Sequence, residues 1–161
     1  MTWLVIGTDA VLGVFALMFA VLWFRHRLRA FLAGAGVVVA YAVSEVVKIV
    51  VQEERPCRTA PSLAPCPDPG DWSFPSNHSV IAGASAMAIW FLHRTYGWVA
   101  MVCALAAASS RVIVGVHYVH DVLAGLALGA LVSWGIAVVL KKRERPVRQD
   151  EAPTVVLQRL R

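Results

Sequence analysis

Apolar residues fill five runs, 3–24, 31–51, 80–92, 98–116 and 118–140, and polar residues gather between them. A helix needs about 20 apolar residues to cross a bilayer, with a range near 17–25. Four runs reach that length directly. The third does so when its helix starts at Ser76 and runs to about His93. The pattern therefore predicts an all-α integral membrane bundle of about five transmembrane helices, with the two termini on opposite sides. The first run is read as a retained helix. No basic residue precedes it, it carries Asp9, and Arg25, Arg27 and Arg29 follow it. Asp9 reads as a solvated residue at the outer interface.

Lys and Arg placement sets the orientation. The first connection holds Arg25, His26, Arg27 and Arg29, and the third holds His93 and Arg94. The tail holds Lys141, Lys142, Arg143, Arg145 and Arg148. Alternating spans put these three regions on one side, which is read as cytoplasmic, with the N-terminus outside. The other side carries only Lys48, Arg55, Arg58 and Arg111. Composition agrees: 58% of the 161 residues are hydrophobic and 16% charged, against roughly half and a quarter in a soluble domain. One membrane domain is expected over 1–140. Residues 141–161 read as a basic tail, disordered toward its end.

Small residues mark close helix contacts: 33–36 in the second run, 83–86 in the third, Ala104 and 106–108 in the fourth, and Gly125 and Gly129 in the fifth. Cys103 reads as a packing residue. The long connection, 57–72, is rich in Pro, Asp, Ser and Gly, and ordered loops of that length are usually functional. Cys57 and Cys66 both lie in it on the oxidising side. A disulfide between them fits, and the spacing alone leaves it open.

Chemistry concentrates in 110–121, SRVIVGVHYVHD. Charged groups so close to hydrocarbon are costly and are usually retained for a function. Asp121 lies four residues after His117, one helical turn on, where a carboxylate can orient an imidazole. Taken alone, the segment fits an Arg111–Asp121 pair with interfacial histidines equally well. Pro75, Ser76 and Asn77 form a helix start, whose unpaired N–H groups suit an anion, and His78 sits in its first turn. A cap with an interfacial histidine fits those residues too. Glu45 and Lys48 share a helix face, with Lys48 either snorkelling outward or facing a pocket with Arg55. Alternating spans bring all these groups to the outer face. Three cations, helix-start amides and two histidines suit a phosphate group. No carboxylate or Cys/His cluster is spaced for a metal, so metal-free chemistry is expected, without cofactor and without a nucleic-acid partner.

The series Lys48-x6-Arg55-Pro56, then Pro75-Ser76-Asn77-His78, then Ser110-Arg111-x5-His117-x3-Asp121 resembles the three-part signature of the type 2 phosphatidic acid phosphatase superfamily, which also contains the vanadium haloperoxidases. The resemblance implies that His117 is a nucleophile forming a phosphohistidine, that Asp121 orients it, and that His78 is the general acid. It implies that Lys48, Arg55 and Arg111 hold the phosphate oxygens, with Ser76, the backbone and amide of Asn77, and Ser110 adding contacts. His120 falls outside the pattern and reads as an interfacial residue or a headgroup contact. Two departures stand out. Asn77 replaces the family's usual Gly, as a polar residue does in bacitracin-resistance undecaprenyl diphosphate phosphatases, and it tolerates left-handed backbone angles. The chain also has one helix fewer than many members before Lys48. The implied activity is a metal-independent lipid phosphatase of the plasma membrane with its site on the extracytoplasmic side. The implied substrate is an undecaprenyl or other polyprenyl diphosphate, with phosphatidic acid, phosphatidylglycerophosphate and polyprenyl-phosphosugar phosphates as alternatives. A non-catalytic lipid-binding or transport protein is the reading from another class. No oligomeric state is set.

Overall fold

A computed structural model describes residues 3–143, with side chains from 10 to 142. The Asp9 side chain and the tail beyond Arg143 lie outside the described residues. Four α-helices follow one another: α1 Trp3–Val51, α2 Asn77–Leu92, α3 Arg94–Ile113 and α4 Val119–Arg143. A 3-10 turn, Pro56–Arg58, opens the loop between α1 and α2. No strand occurs among the described residues.

Sequence reading divides residues 3–51 into two helices, and α1 is indeed two helical arms joined across a kink at His26. The backbone leaves helical angles at His26 (φ −135°, ψ 38°), inside the Arg25–Arg29 charge cluster, where polar surroundings can satisfy loosened backbone groups. The bend is required by packing. Phe15 and Leu22 share a buried cluster with Ala82, Ala86 and Ile89 of α2, while Ala40 packs with Val80 and Ala84 of the same helix. A straight helix would separate residues 15 and 40 by about 37 Å, and all 16 residues of α2 span only about 24 Å. Both arms of α1 therefore lie against α2. Three segments are long and apolar enough to cross a membrane: Ala10–Val51, Arg94–Ile113 and Val119–Lys142. α2 is apolar but shorter.

The core is built from small side chains. A Cβ on Gly129 would stand 2.1 Å from the Val80 carbonyl oxygen, and one on Gly83 2.4 Å from that of Leu126. α2 and α4 thus touch backbone to backbone, as the Gly125/Gly129 spacing predicts. Cys103 packs beside the Ala100–Ala104–Ala107 row. Large apolar side chains point outward instead: Val38, Val46, Ile49, Leu105 and Leu131 are all more than half exposed. Buried polar residues include Ser44, Lys48, Arg55, Ser73, Ser76, Arg111, His117 and Asp121. Apolar outside and polar inside is the arrangement expected of a chain solvated by lipid.

The ends of the bundle differ. Arg29, Leu92 and Lys141 border one cavity, so the bend of α1, the α2–α3 corner and the end of α4 share a face. At the other face the end of α1, the start of α2, the end of α3 and the start of α4 converge under the long loop. Cys57 and Cys66 are joined in a disulfide. The loop is pinned by Leu63 N–H donating to the Val114 carbonyl (2.9 Å) and Ser73 N–H donating to that of Glu53 (2.7 Å).

Candidate active site

His117 is placed by the way α3 ends. Gly115 takes φ +79°, a left-handed angle that favours glycine. Gly115 N–H donates to the Val112 carbonyl and Val116 N–H to that of Arg111, the paired bonds of a Schellman stop. Arg111 therefore occupies the last turn of α3, and the chain reverses to deliver His117 just before α4. The five-residue gap between Arg111 and His117 is the length of that turn.

α4 then brings Asp121 beneath the ring. Asp121 Oδ2 accepts from Tyr118 N–H (2.8 Å) and from the Ser73 hydroxyl, and lies 3.4 Å from His117 Nδ1. The other ring nitrogen, Nε2, is 2.9 Å from Arg55 Nη1. A guanidinium only donates, so Nε2 is the acceptor and the ring proton sits on Nδ1, facing Asp121. Burial pushes the His117 pKa below the ordinary histidine value, and the Arg55 and Lys48 charges push the same way against the opposing pull of Asp121. His117 is thus a neutral imidazole with its lone pair aimed away from its carboxylate, as a nucleophile requires.

A cavity of about 170 Å³ lies in front of it, lined by Lys48, Arg55, Asn77, His78, Arg111 and His117, with Asp71 and residues 64, 65 and 67 of the loop closing it. Lys48, Arg55 and Arg111 are 4, 5 and 7% exposed. Lys48 comes from the last turn of α1, which ends on Gln52 in a left-handed conformation (φ 51°). Three buried cations around a neutral, carboxylate-backed imidazole make a cavity suited to an anion.

A family model, the PAP2 superfamily, matches residues 29–145. The chain belongs to the PAP2 superfamily. It is 37% identical over 132 residues to the decaprenylphosphoryl-5-phosphoribose phosphatase of Mycobacterium tuberculosis, covering 81% of this chain and 67% of the relative. It is 30% identical over 135 residues to the undecaprenyl-diphosphatase BcrC of Bacillus subtilis, covering 79% and 68%. A solved structure, the transmembrane PAP2-type phosphatidylglycerolphosphate phosphatase of Bacillus subtilis, superposes with a TM-score of 0.70 at 25% identity over 89% of this chain and 78% of that one. These relatives are phosphatases, which supports a phosphatase activity, and the three apolar spans with the transmembrane neighbour support a membrane protein.

Most of the PAP2 signature residues meet at this cavity, with three differences. Asn77 lines the cavity, but its carboxamide is engaged by α1: Nδ2 donates to Glu45 Oε1 (2.5 Å) and Oδ1 accepts from the Ser44 hydroxyl, tying the start of α2 to α1. Asn77 does not use a left-handed backbone, since it is the first residue of α2. The Ser110 hydroxyl bonds the Ala107 carbonyl of its own helix (2.7 Å), and Ser110 is not among the residues lining the cavity. Ser76 caps α2 without a side-chain bond, and its fully buried Oγ has no hydrogen-bond partner among the described residues.

His120 bridges Glu53, just past the end of α1, and the carboxylate behind His117. Its Nε2 lies 2.8 Å from Glu53 Oε1 and 3.1 Å from Asp121 Oδ1, and its ring stacks on Tyr118 at 5.3 Å. Folding thus gathers Glu53, His120 and Asp121, with ligand atoms within 4.8 Å of one another, although no metal-like spacing exists in the sequence. Glu53 and His120 are 67 positions apart, and a hydrogen bond between them accounts for their approach. Sequence reading also misses Ser73, which supports Asp121, and Asp71, which binds Lys48 and Arg55. Neither has a spacing signal. The one clue to Ser73 is its place beside the Pro75–His78 motif.

Proposed function

We propose that this PAP2 protein is a lipid phosphatase that hydrolyses a polyprenyl diphosphate through a phosphohistidine intermediate at the extracytoplasmic face. The observation that carries this reading is the neutral His117 facing a cavity walled by three buried cations. His117 Nε2 attacks phosphorus, the N–P bond forms, and the P–O bond to the leaving group breaks while His78 protonates the departing oxygen. Asp121 supports the positive charge that develops on the imidazole. Lys48, Arg55 and Arg111 neutralise the equatorial oxygens, which is the charge stabilisation that metal ions supply elsewhere. The unpartnered Ser76 Oγ gains a partner if a phosphate oxygen reaches it. Water then attacks the phosphohistidine, His78 takes its proton, and inorganic phosphate leaves. No metal or cofactor is required.

The same reading gives five crossings: the two arms of α1, then α2, α3 and α4. The Arg25–Arg29, Arg94 and Lys141–Lys142 end is cytoplasmic by the positive-inside rule. At about 24 Å, α2 is shorter than the roughly 30 Å hydrocarbon core, so the site at its start is recessed below the outer surface. A long prenyl tail reaches it from the side. Residues 1–140 form one catalytic unit and 141–161 its basic tail. The mycobacterial relative favours a second substrate, a polyprenyl-phosphosugar phosphate, whose terminal phosphate offers the same dianion.

The test is phosphate release by the purified protein in detergent with chelator. Undecaprenyl diphosphate, a decaprenyl-phosphoribose phosphate, phosphatidic acid and phosphatidylglycerophosphate are compared, with His117→Ala as control. Release in chelator from a polyprenyl substrate, reduced at least ~10³-fold in the variant, supports the reading. Equal release by the variant overturns the nucleophile assignment.

A further inference from the structure

We propose that Asp71 is an internal stand-in for substrate phosphate, a specificity-determining residue whose carboxylate occupies the cations of the site and must be displaced by a phosphate dianion. This deepens the reading above and rests on it. Asp71 Oδ1 accepts from Lys48 Nζ at 2.8 Å and from Arg55 Nη2 at 2.9 Å. Both donors line the cavity that contains His117, and Asp71 lines it too. The two cations are almost fully buried, whereas the Asp71 side chain is 45% exposed. One partner is fixed and the other is free to leave.

The geometry is suited to exchange. Arg55 Nε also holds the Asp71 backbone carbonyl at 2.7 Å, and Asp71 N–H donates to the Asp68 carbonyl at 3.1 Å. Those bonds anchor the residue through its backbone, so side-chain rotation alone moves the carboxylate. Burial by itself would raise the carboxyl pKa, but the hydrogen bonds and charges of Lys48 and Arg55 outweigh it and hold it below the ordinary value. The group is therefore an anion in the working range. Without it, two buried cations would face each other uncompensated, a costly arrangement.

Asp71 also bears on the nucleophile. With Nη2 and Nε engaged by Asp71, Arg55 directs Nη1 onto His117 Nε2 and the Val116 carbonyl. The lone pair that must attack phosphorus is covered. A terminal phosphate dianion offers more charge and more acceptor oxygens than one carboxylate, so it can take both cations and uncover Nε2. A phosphodiester offers a single charge and two free oxygens, close to what Asp71 already provides. The residue thereby selects terminal phosphates over diesters.

The test compares wild type with Asp71→Asn, which preserves shape and the backbone bonds. Binding of inorganic phosphate, orthovanadate and dimethyl phosphate is read by calorimetry in detergent, without lipid. The variant is expected to bind phosphate and vanadate about tenfold more tightly. Its preference for phosphate over dimethyl phosphate should narrow. Asp71→Ser, which leaves the turn intact, should behave alike, and monodisperse elution in detergent checks that each variant is folded. Unchanged or weaker phosphate binding by both folded variants overturns the proposal and makes Asp71 a support for the cations. Tighter phosphate binding in a protein that releases no phosphate from any lipid would uphold the inference while sinking the phosphatase reading.

Discussion

Both ends of the bundle are rich in cations, and they use them in opposite ways. At one end Arg25, Arg27, Arg29, Arg94, Lys141 and Lys142 are exposed. At the other, Lys48, Arg55 and Arg111 are buried beside an imidazole. An exposed side chain at a membrane boundary can snorkel to water and lipid headgroups at little cost. A buried one needs an anion, and the fold supplies Asp71 to two of the three. The charge is the same at both ends, but only one end gathers buried cations around a cavity and an imidazole. Cation count therefore reports topology, and cation burial reports chemistry.

The comparison is broken most severely at the buried end by keeping charge and changing geometry. Arg55→Lys retains the cation but cannot span Asp71, the Val116 carbonyl and His117 together, contacts that use three guanidinium nitrogens. A drop in kcat/KM of about 10²-fold is expected, with folding monitored by elution in detergent. Near wild-type activity would mean that charge alone suffices there, as it does at the exposed end. Arg55→Gln adds a pH signature. The acid limb of kcat/KM reports protonation of free His117. Its pKa lies below the ordinary value partly through the Arg55 charge, so wild-type activity should fall only below about pH 6.5. Removing that charge makes the imidazole easier to protonate, and the limb should move upward in the pH–rate profile. A downward move would contradict the geometry.

A smaller effect is expected one contact further from the cavity. Ser73→Ala removes a donor to Asp121 Oδ2 and leaves Tyr118 N–H and His117 in place. About a tenfold loss in kcat is expected with little change in KM, since the hydroxyl supports the carboxylate rather than the phosphate. A loss confined to KM would instead place Ser73 on the substrate.

What was legible in the sequence follows the same division. The apolar helices and the residues that line the cavity were readable because membrane length and motif spacing are local quantities. The fourth apolar run, 98–116, continued past the true end of α3 at Ile113, since hydropathy does not register the turn at Gly115. The first two runs are separated by charges in the sequence, and the backbone leaves helical angles at His26 within that charge cluster. Cys57 and Cys66 were readable as candidates, and their bond needed the loop geometry. Asp71 and Glu53 were not readable as site residues, and Ser73 only by its place beside the Pro75–His78 motif. An aspartate in a polar loop looks solvated until folding sets it against Lys48, 23 residues away. The side-chain partners of Asn77, Ser44 and Glu45, were not readable because they lie on another helix.

The smallest effect should come from the exposed end. Arg27 lies beyond the bend at His26 and is exposed. Arg27→Gln should leave kcat/KM within about twofold of wild type, because surface charges more than a Debye length of roughly 8–10 Å from the reaction are largely screened. Its consequence belongs to insertion instead. On the proposed orientation, Arg25, Arg27 and Arg29 together bias the first connection to the cytoplasmic side, and neutralising all three should let some molecules insert inverted. A cysteine in the 57–72 loop, accessible to an impermeant thiol reagent in intact cells carrying the parent, would then label less completely. Correct labelling with reduced turnover would show that the bend of α1 transmits strain to the site, and the two ends would no longer be separable by burial alone.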